Sequence, residues 1–398
     1  MDICISPHLL NGTISAIASK SQAHRYLICA AFSDAPTKLN CSETNQDIDA
    51  TADCLRSLGA EIERTEYGYY IKPITTPPYC AELNCRESGS TLRFLLPIVA
   101  ALGVDATFHM DGRLPKRPLS PLLEVLDENG CILNRPTETT LRCAGKLLPG
   151  EFHIDGNVSS QFISGLLFAL PLLQEKSTIH ITEKLESKPY VSITCDALRK
   201  FGIYTDDFII KPQFPFTTPG ELTVEGDWSN AAFFLAANAL GSNVDILNLN
   251  FDSVQGDLQA YKILQHMDQN VSIDAADIPD LVPILAVVAG ARNGATFTNI
   301  ARLRLKESDR VESIISMLTA LGGKATATEN TLCVQPGHYH SCTINAAGDH
   351  RIAMSAAIAA TVADGPVRIL GAECVSKSYP TFWNEYARLG GKYEQYIR

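Results

Sequence analysis

The sequence predicts an α/β protein of two globular domains, each built from three β-α-β-α-β-β units. Three observations carry this expectation. Six times a short polar turn runs straight into an almost wholly apolar helix: at Ser19-Lys20-Ser21, Ser88-Gly89-Ser90, Ser159-Ser160-Gln161, Gly226-Asp227-Trp228-Ser229, Ile278-Pro279-Asp280 and Gly348-Asp349-His350-Arg351. Most of these turns start roughly 70 residues after the previous one, the mark of an internal repeat. A Pro-rich stretch, Phe214-Pro215-Phe216-Thr217-Thr218-Pro219-Gly220, falls between the third and fourth copies, where a linker is expected.

Each element follows from its pattern. A helix apolar on all sides is a buried helix, and a first turn of Ser, Gly, Asp or Lys opens its positive end onto solvent or ligand. After these helices come β-branched or alternating runs that read as strands: Thr107–Met110, Thr178–Ile181, Val244–Leu247, Thr296–Thr298 and Val367–Leu370. A second, amphipathic helix then ends at a Gly or Asn cap signal, near Leu58-Gly59, Asn129-Gly130, Phe201-Gly202, Gln269-Asn270, Leu321-Gly322 and Leu389-Gly390. Hairpins are expected over Glu61–Lys72 and Lys324–Val334. The phase breaks once, with 68 positions from Gly202 to Asn270 but 52 from Asn270 to Gly322.

Composition narrows the function. With 45% hydrophobic residues the 398-residue chain is globular. Its longest apolar stretch, Leu281 to Ala291, is interrupted by Pro283 and too short for a bilayer, and the N-terminus lacks the charged region of a signal peptide, so a cytoplasmic protein is expected. The 12 cysteines form no CxxC pair and read as reduced core thiols, with no metal site. A net charge of −11 opposes diffuse attraction to nucleic acid or anionic lipid. Any anion site must therefore be local.

The placement of basic residues suggests such a site. Lys20 and Arg25 lie about one turn apart at the first helix entry, with Ser21 between them, and together suit a phosphate or carboxylate. Gly89 permits close approach of an anion to the backbone, with Arg93 behind it. Ser159, Ser160 and Gln161 supply two hydroxyls and an amide in one first turn, although N-capping alone explains one serine. The loop Asp111–Pro118 concentrates Arg113, Lys116 and Arg117 between two prolines. At helical spacing Lys306 and Arg310 share a face with Glu307 alongside. Asp280 either caps its helix or serves as a general base at a dry boundary. Arg351 and Lys377 add cations near unit starts. Each feature alone has an ordinary structural explanation; jointly they place anion-binding groups at equivalent repeat positions, with Asp280 and Glu307 left among them for acid–base chemistry.

These segments, together with Ser187-Lys188-Pro189-Tyr190, closely resemble the 5-enolpyruvylshikimate-3-phosphate synthase family of enolpyruvyl transferases, in order and spacing and over nearly the whole chain. The resemblance implies the enolpyruvyl transferase fold: inside-out, barrel-like α/β domains spanning 19–224 and 1–18 plus 225–398, with the active site in the interdomain cleft. It implies transfer of the carboxyvinyl group of phosphoenolpyruvate to the 5-hydroxyl of shikimate 3-phosphate, in aromatic amino acid (chorismate) biosynthesis, by a monomer without cofactor. On that basis Ser21, Arg25, Ser159, Ser160, Gln161, Ser187 and Lys306 would hold shikimate 3-phosphate. Lys20, Gly89, Arg117, Arg310, Arg351 and Lys377 would hold phosphoenolpyruvate. Asp280 would be the base, and Glu307 with Lys20 would deliver the proton. That last role conflicts with the cations nearby, which oppose protonation of a glutamate. Where the family often has asparagine, four residues before the Lys-Glu pair's lysine, this chain has Arg302.

Two related activities compete. Enolpyruvyl transfer to UDP-N-acetylglucosamine is associated with a loop cysteine, and none occurs between Val104 and Gly130. An RNA 3′-phosphate cyclase would need a nucleotide-linked histidine motif and a basic face, against the charge found.

Overall fold

The computed structural model describes residues 1–41 and 43–396 and divides into two compact units, Ala18–Glu225 and Met1–Ile17 with Gly226–Arg398. Each has its own hydrophobic core. The first contains α1 (Lys20–Ala31), α2 (Gln46–Ser57), α3 (Gly89–Leu102), α4 (Leu122–Glu128), α5 (Ser160–Ala169) and α6 (Lys188–Lys200). The second contains α7 (Trp228–Ala239), α8 (Gln259–Leu264), α9 (Val282–Ala291), α10 (Arg310–Ala320), α11 (His350–Ala360) and α12 (Phe382–Arg388).

The odd-numbered helices follow the six polar turns, and they form the cores because they lack a polar face. In α9 every residue from Val282 to Gly290 is buried, and each large aliphatic side chain there stabilises the fold by about 1.5–3 kcal/mol. Side chains at the turns satisfy the exposed helix ends: Ser88 accepts from Thr91 N, Ser159 from Gln161 N, Asp227 from Asn230 N and Asp349 from Arg351 N. Even-numbered helices alternate in burial and cover the units' flanks, as the amphipathic pattern expects.

The complete repeat is seen twice, at Cys80–Gly145 and Val271–Gln335. In the first, Cys80–Asn84 pairs in parallel with Asp105–His109 through α3. A hairpin, Cys131–Asn134 and Thr140–Gly145, then adds antiparallel. In two other sheets a distant segment supplies one strand: Glu221–Thr223 lies parallel to Thr37–Asn40, and Asp2–Ser6 enters between Val367–Leu370 and Lys392–Tyr396.

The third and fourth copies depart from the expected unit. After α6 the chain adds only Ile209–Ile210 to its sheet, leaving three strands, and the fourth sheet is the parallel pair Asn11–Ser15 and Asn243–Leu247. The break in phase has a physical cause: α8 stops at Leu264 and the next strand starts at Val271, which leaves no room for a hairpin. The Pro-rich stretch is not a linker. Phe216 is buried, donates to Phe32 O at 2.9 Å and accepts from Asp34 N at 2.8 Å, so the segment is stitched into the Ala18–Glu225 unit. Nor are all cysteines in the core, because Cys80 and Cys333 are exposed.

Candidate active site

In the unit formed by Met1–Ile17 and Gly226–Arg398, Asp280 is the hub of a cationic cluster. Arg310 Nη1 donates to its Oδ1 at 2.7 Å, Arg351 Nη2 to its Oδ2 at 2.9 Å, and Lys306 Nζ lies 3.5 Å from Oδ1. Arg310 is a buried fork. Its Nε reaches Asp349 at 2.9 Å and its Nη2 reaches Glu307 at 2.6 Å. The sequence builds this cluster from three helix starts: Asp280 precedes α9, Asp309 caps α10 so that Arg310 opens it, and Asp349 caps α11 ahead of Arg351. Lys377 joins at the edge, with Nζ 3.5 Å from Gly348 O.

Electrostatics follow from the packing. Burial alone would raise the Asp280 carboxyl, yet Arg351, Lys306 and Arg310 together hold it well below the usual carboxylate range. Burial pushes Lys306 down to about 8, opposed by Asp280 and assisted by Arg310 and Arg302. Lys306 thus changes charge near neutrality, while Asp280 stays ionised. Asp349, raised by burial but lowered overall by Arg310 and His350 together, also stays ionised.

Two expectations about this cluster need correction. Asp280 does not cap α9: Leu281 occupies the cap position, and the Asp280 side chain turns to the cations. Lys306 and Arg310 do not share a helical face, because Lys306 is extended (φ −88°, ψ −161°) and α10 begins only at Arg310. They meet through Asp280, not through helical periodicity.

In the Ala18–Glu225 unit, the amino ends of α1, α3 and α5 gather. Arg93 Nη1 donates to Gln161 Oε1 at 2.7 Å, and Gln161 Nε2 donates to Ser90 Oγ at 2.9 Å. Gly89 lies beneath two guanidinium groups: a Cβ there would come within 2.7 Å of Arg117 Nη1 and 2.9 Å of Arg93 Nη1. A buried chain, His24 Nδ1 to Thr51 Oγ1 to Thr91 Oγ1 to Ser88 Oγ, each step 2.7 Å, ties α1 and α2 to the start of α3. Burial first, then Lys20 and Arg25, keeps His24 neutral.

Lys20 and Arg25 turn to different protein partners. Lys20 pairs with Asp47 of α2 at 2.9 Å, whereas Arg25 is buried and turns to α6, donating to Tyr190 O at 2.9 Å and Thr194 Oγ1 at 2.7 Å. Arg25 also reaches Ser21 O at 2.6 Å, and Ser187, buried at φ 54°, starts α6 beside this contact. Of the three loop cations only Arg117 faces Gly89; Arg113 and Lys116 are exposed. Ser159 caps α5 and Ser160 is buried in its first turn.

Sequence reasoning missed Asp47, Asp349 as a partner of Arg310, and Ser308, which donates to Asp349 at 3.1 Å. The acidic first turn after Asn45 marked Asp47 as a helix-start residue, but its partner 27 positions away had no local signal.

A repeat-built α/β fold with cations and helix amino ends gathered about ionised carboxylates defines an anion-handling protein, and its backbone matches those of enolpyruvyl transferases. The EPSP synthase of Acinetobacter baumannii aligns with a TM-score of 0.81 at 23% identity, covering 99% of this chain and 100% of that one. The enolpyruvyl transferase NikO of Streptomyces tendae aligns at 0.77 and 17%, covering 99% and 98%. In sequence, the 3-phosphoshikimate 1-carboxyvinyltransferases of Clostridium kluyveri and Clostridium novyi are 38% and 39% identical, the alignments spanning 99% and 98% of this chain and 98% of each relative. The EPSP synthase (3-phosphoshikimate 1-carboxyvinyltransferase) family model matches residues 6–275 and 268–386. The chain belongs to that family.

Proposed function

We propose that the chain transfers the carboxyvinyl group of phosphoenolpyruvate to the 5-hydroxyl of shikimate 3-phosphate and releases phosphate. Family membership supports the reaction, and the observation that carries the chemistry is Asp280 clamped by Arg310, Arg351 and Lys306 at converging helix starts. The reaction needs a proton added to the methylene carbon of phosphoenolpyruvate, and the acceptor oxygen bonds to the adjacent carbon as its own proton leaves. The C–O bond to phosphate then breaks while the new methyl group gives a proton back.

Asp280 clamped by three cations is a weak base. Anionic substrates would draw Arg310, Arg351 and Lys306 onto themselves, which raises the proton affinity of Asp280 when it is needed. Glu307, bonded to Arg310 and 26% exposed, and Lys20 are the groups assigned to proton delivery. Arg351, Arg310, Lys377, Lys20, Gly89 and Arg117 are assigned to phosphoenolpyruvate. Ser21, Arg25, Ser159, Ser160, Gln161, Ser187 and Lys306 are assigned to shikimate 3-phosphate.

The test is phosphate release with phosphoenolpyruvate and shikimate 3-phosphate, run beside UDP-N-acetylglucosamine as acceptor. Turnover only with the sugar nucleotide would overturn the proposal. The same reading makes the chain a cytoplasmic monomer with no nucleic-acid or membrane partner. Among the described residues no helix is long and apolar enough to cross a membrane, and light scattering tests the monomer.

A further inference from the structure

At the end of α9 remote from Asp280 lies a cavity of about 290 Å³. The helix has 10 residues, which puts the cavity about 15 Å along its axis from the first turn. It is therefore separate from the cationic cluster. Its lining includes Leu240, Ala291, Arg292, His338, Tyr339 and Val362.

The wall combines opposite charges. Ala239 and Ala291, the last residues of α7 and α9, both line the cavity, so the carboxyl ends of two buried helices bring partial negative charge to it. Arg292 stands beside them and donates through Nη2 to Ala239 O. That bond uses one of the five N–H groups of the guanidinium. The rest of the lining is mixed: the His338 imidazole and the Gly241 and Gly337 backbones are polar, whereas Leu240 and Val362 contribute aliphatic carbon and Tyr339 contributes ring surface, its hydroxyl being bonded to Val287 O at 2.6 Å.

We propose that this cavity binds a free apolar α-amino acid. The α-carboxylate pairs with Arg292, the α-ammonium lies against the carboxyl ends of α7 and α9, and the side chain packs over Leu240, Val362 and Tyr339. A ligand with only a carboxylate meets the helix carboxyl ends, and one with only an ammonium meets Arg292; a zwitterion satisfies both. The volume sets the size class. It sits near the lower limit of ordinary ligand pockets, about 300–1,000 Å³, enough for leucine or phenylalanine and too small for a nucleotide.

The test is titration of the full chain with L-leucine and L-phenylalanine, followed by amide resonances. We expect shifts at Gly241, Arg292 and Gly337 that saturate at about millimolar concentration or below. On the unmodified protein, 4-methylpentanoate and 3-methylbutylamine, which each keep one charge of leucine, bind at least about tenfold more weakly. Arg292→Gln loses about tenfold in affinity. Val362→Trp fills the cavity and abolishes the shifts while phosphate release persists. No shift at about 20 mM of either amino acid, equal binding of leucine and 4-methylpentanoate, shifts confined to the Asp280 cluster, or unchanged binding in Val362→Trp would each overturn the assignment.

Discussion

Arg310 and Asp349 form an ion pair sealed from solvent, Nε to Oδ2 at 2.9 Å, with side chains 1% and 0% exposed. Because the same guanidinium also reaches Asp280 and Glu307, one residue fixes three carboxylates at once. A lysine ammonium has no planar fork and cannot span them. Arg310→Lys is therefore expected to destabilise the chain by about 3–5 kcal/mol, the cost of breaking a buried pair. Urea unfolding measures it, and a loss under about 1 kcal/mol would show the fork to be dispensable.

Asp280→Asn separates catalysis from binding. The substitution removes the anion internal to the cluster, so Arg310, Arg351 and Lys306 gain free attraction for inorganic phosphate. Phosphate release with both substrates should slow by about 10²–10⁴-fold, and calorimetry should find anion affinity kept or increased. Glu307→Gln is expected to slow turnover likewise. Wild-type turnover in the Asp280 variant would remove it from the base role.

Gly89→Ala inserts a methyl group where Arg117 Nη1 and Arg93 Nη1 lie 2.7 and 2.9 Å away. Both contacts are shorter than carbon and nitrogen tolerate, so the guanidinium groups must shift. We expect KM for phosphoenolpyruvate to rise about 10-fold or more, with KM for shikimate 3-phosphate less affected. Equal changes in both constants would count against the assignment of Gly89 and Arg117 to phosphoenolpyruvate.

Lys306 gives a pH dependence with a definite sign. Its folded value is about 8, against 10.5 unperturbed. Below pH 8 it is charged in the folded and unfolded chain alike. Between 8 and 10.5 the unfolded chain holds a proton that the folded chain has lost, so this residue makes stability rise with pH in that window. A bound anion restores the proton. Anion affinity should therefore fall by up to about tenfold per unit above pH 8. Calorimetry at pH 9 in buffers of different ionisation enthalpy should detect proton uptake; uptake unchanged in Lys306→Met would assign it elsewhere.

Much of the fold was legible because its signals are local. Ser88, Ser159, Asp227 and Asp349 cap the helices that their turns announce, and the runs at Thr107, Thr178, Val244, Thr296 and Val367 lie in strands, Met110 alone falling just past the end of its own. What eluded sequence reasoning is non-local. Phe216 looked like linker because Pro215 and Pro219 flank it, whereas its bonds to Phe32 and Asp34, and the strand from Glu221 with a partner some 180 positions away, tie that segment down. At the site, the cluster around Asp280 was legible as composition but not as geometry. The pairing of Lys20 with Asp47 and the turn of Arg25 toward Tyr190 depend on which helices flank α1, and no periodicity in α1 records that.

The strands Asp2–Ser6 and Asn11–Ser15 complete two sheets whose other members come from Asn243–Leu247 and from Cys342–Tyr396. Asp2–Ser15 must therefore wait for strands made after the whole Ala18–Glu225 unit, while that unit has its partners as soon as it has been made. Synthesis order thus favours one unit assembling early and the other closing later on strands made well before it.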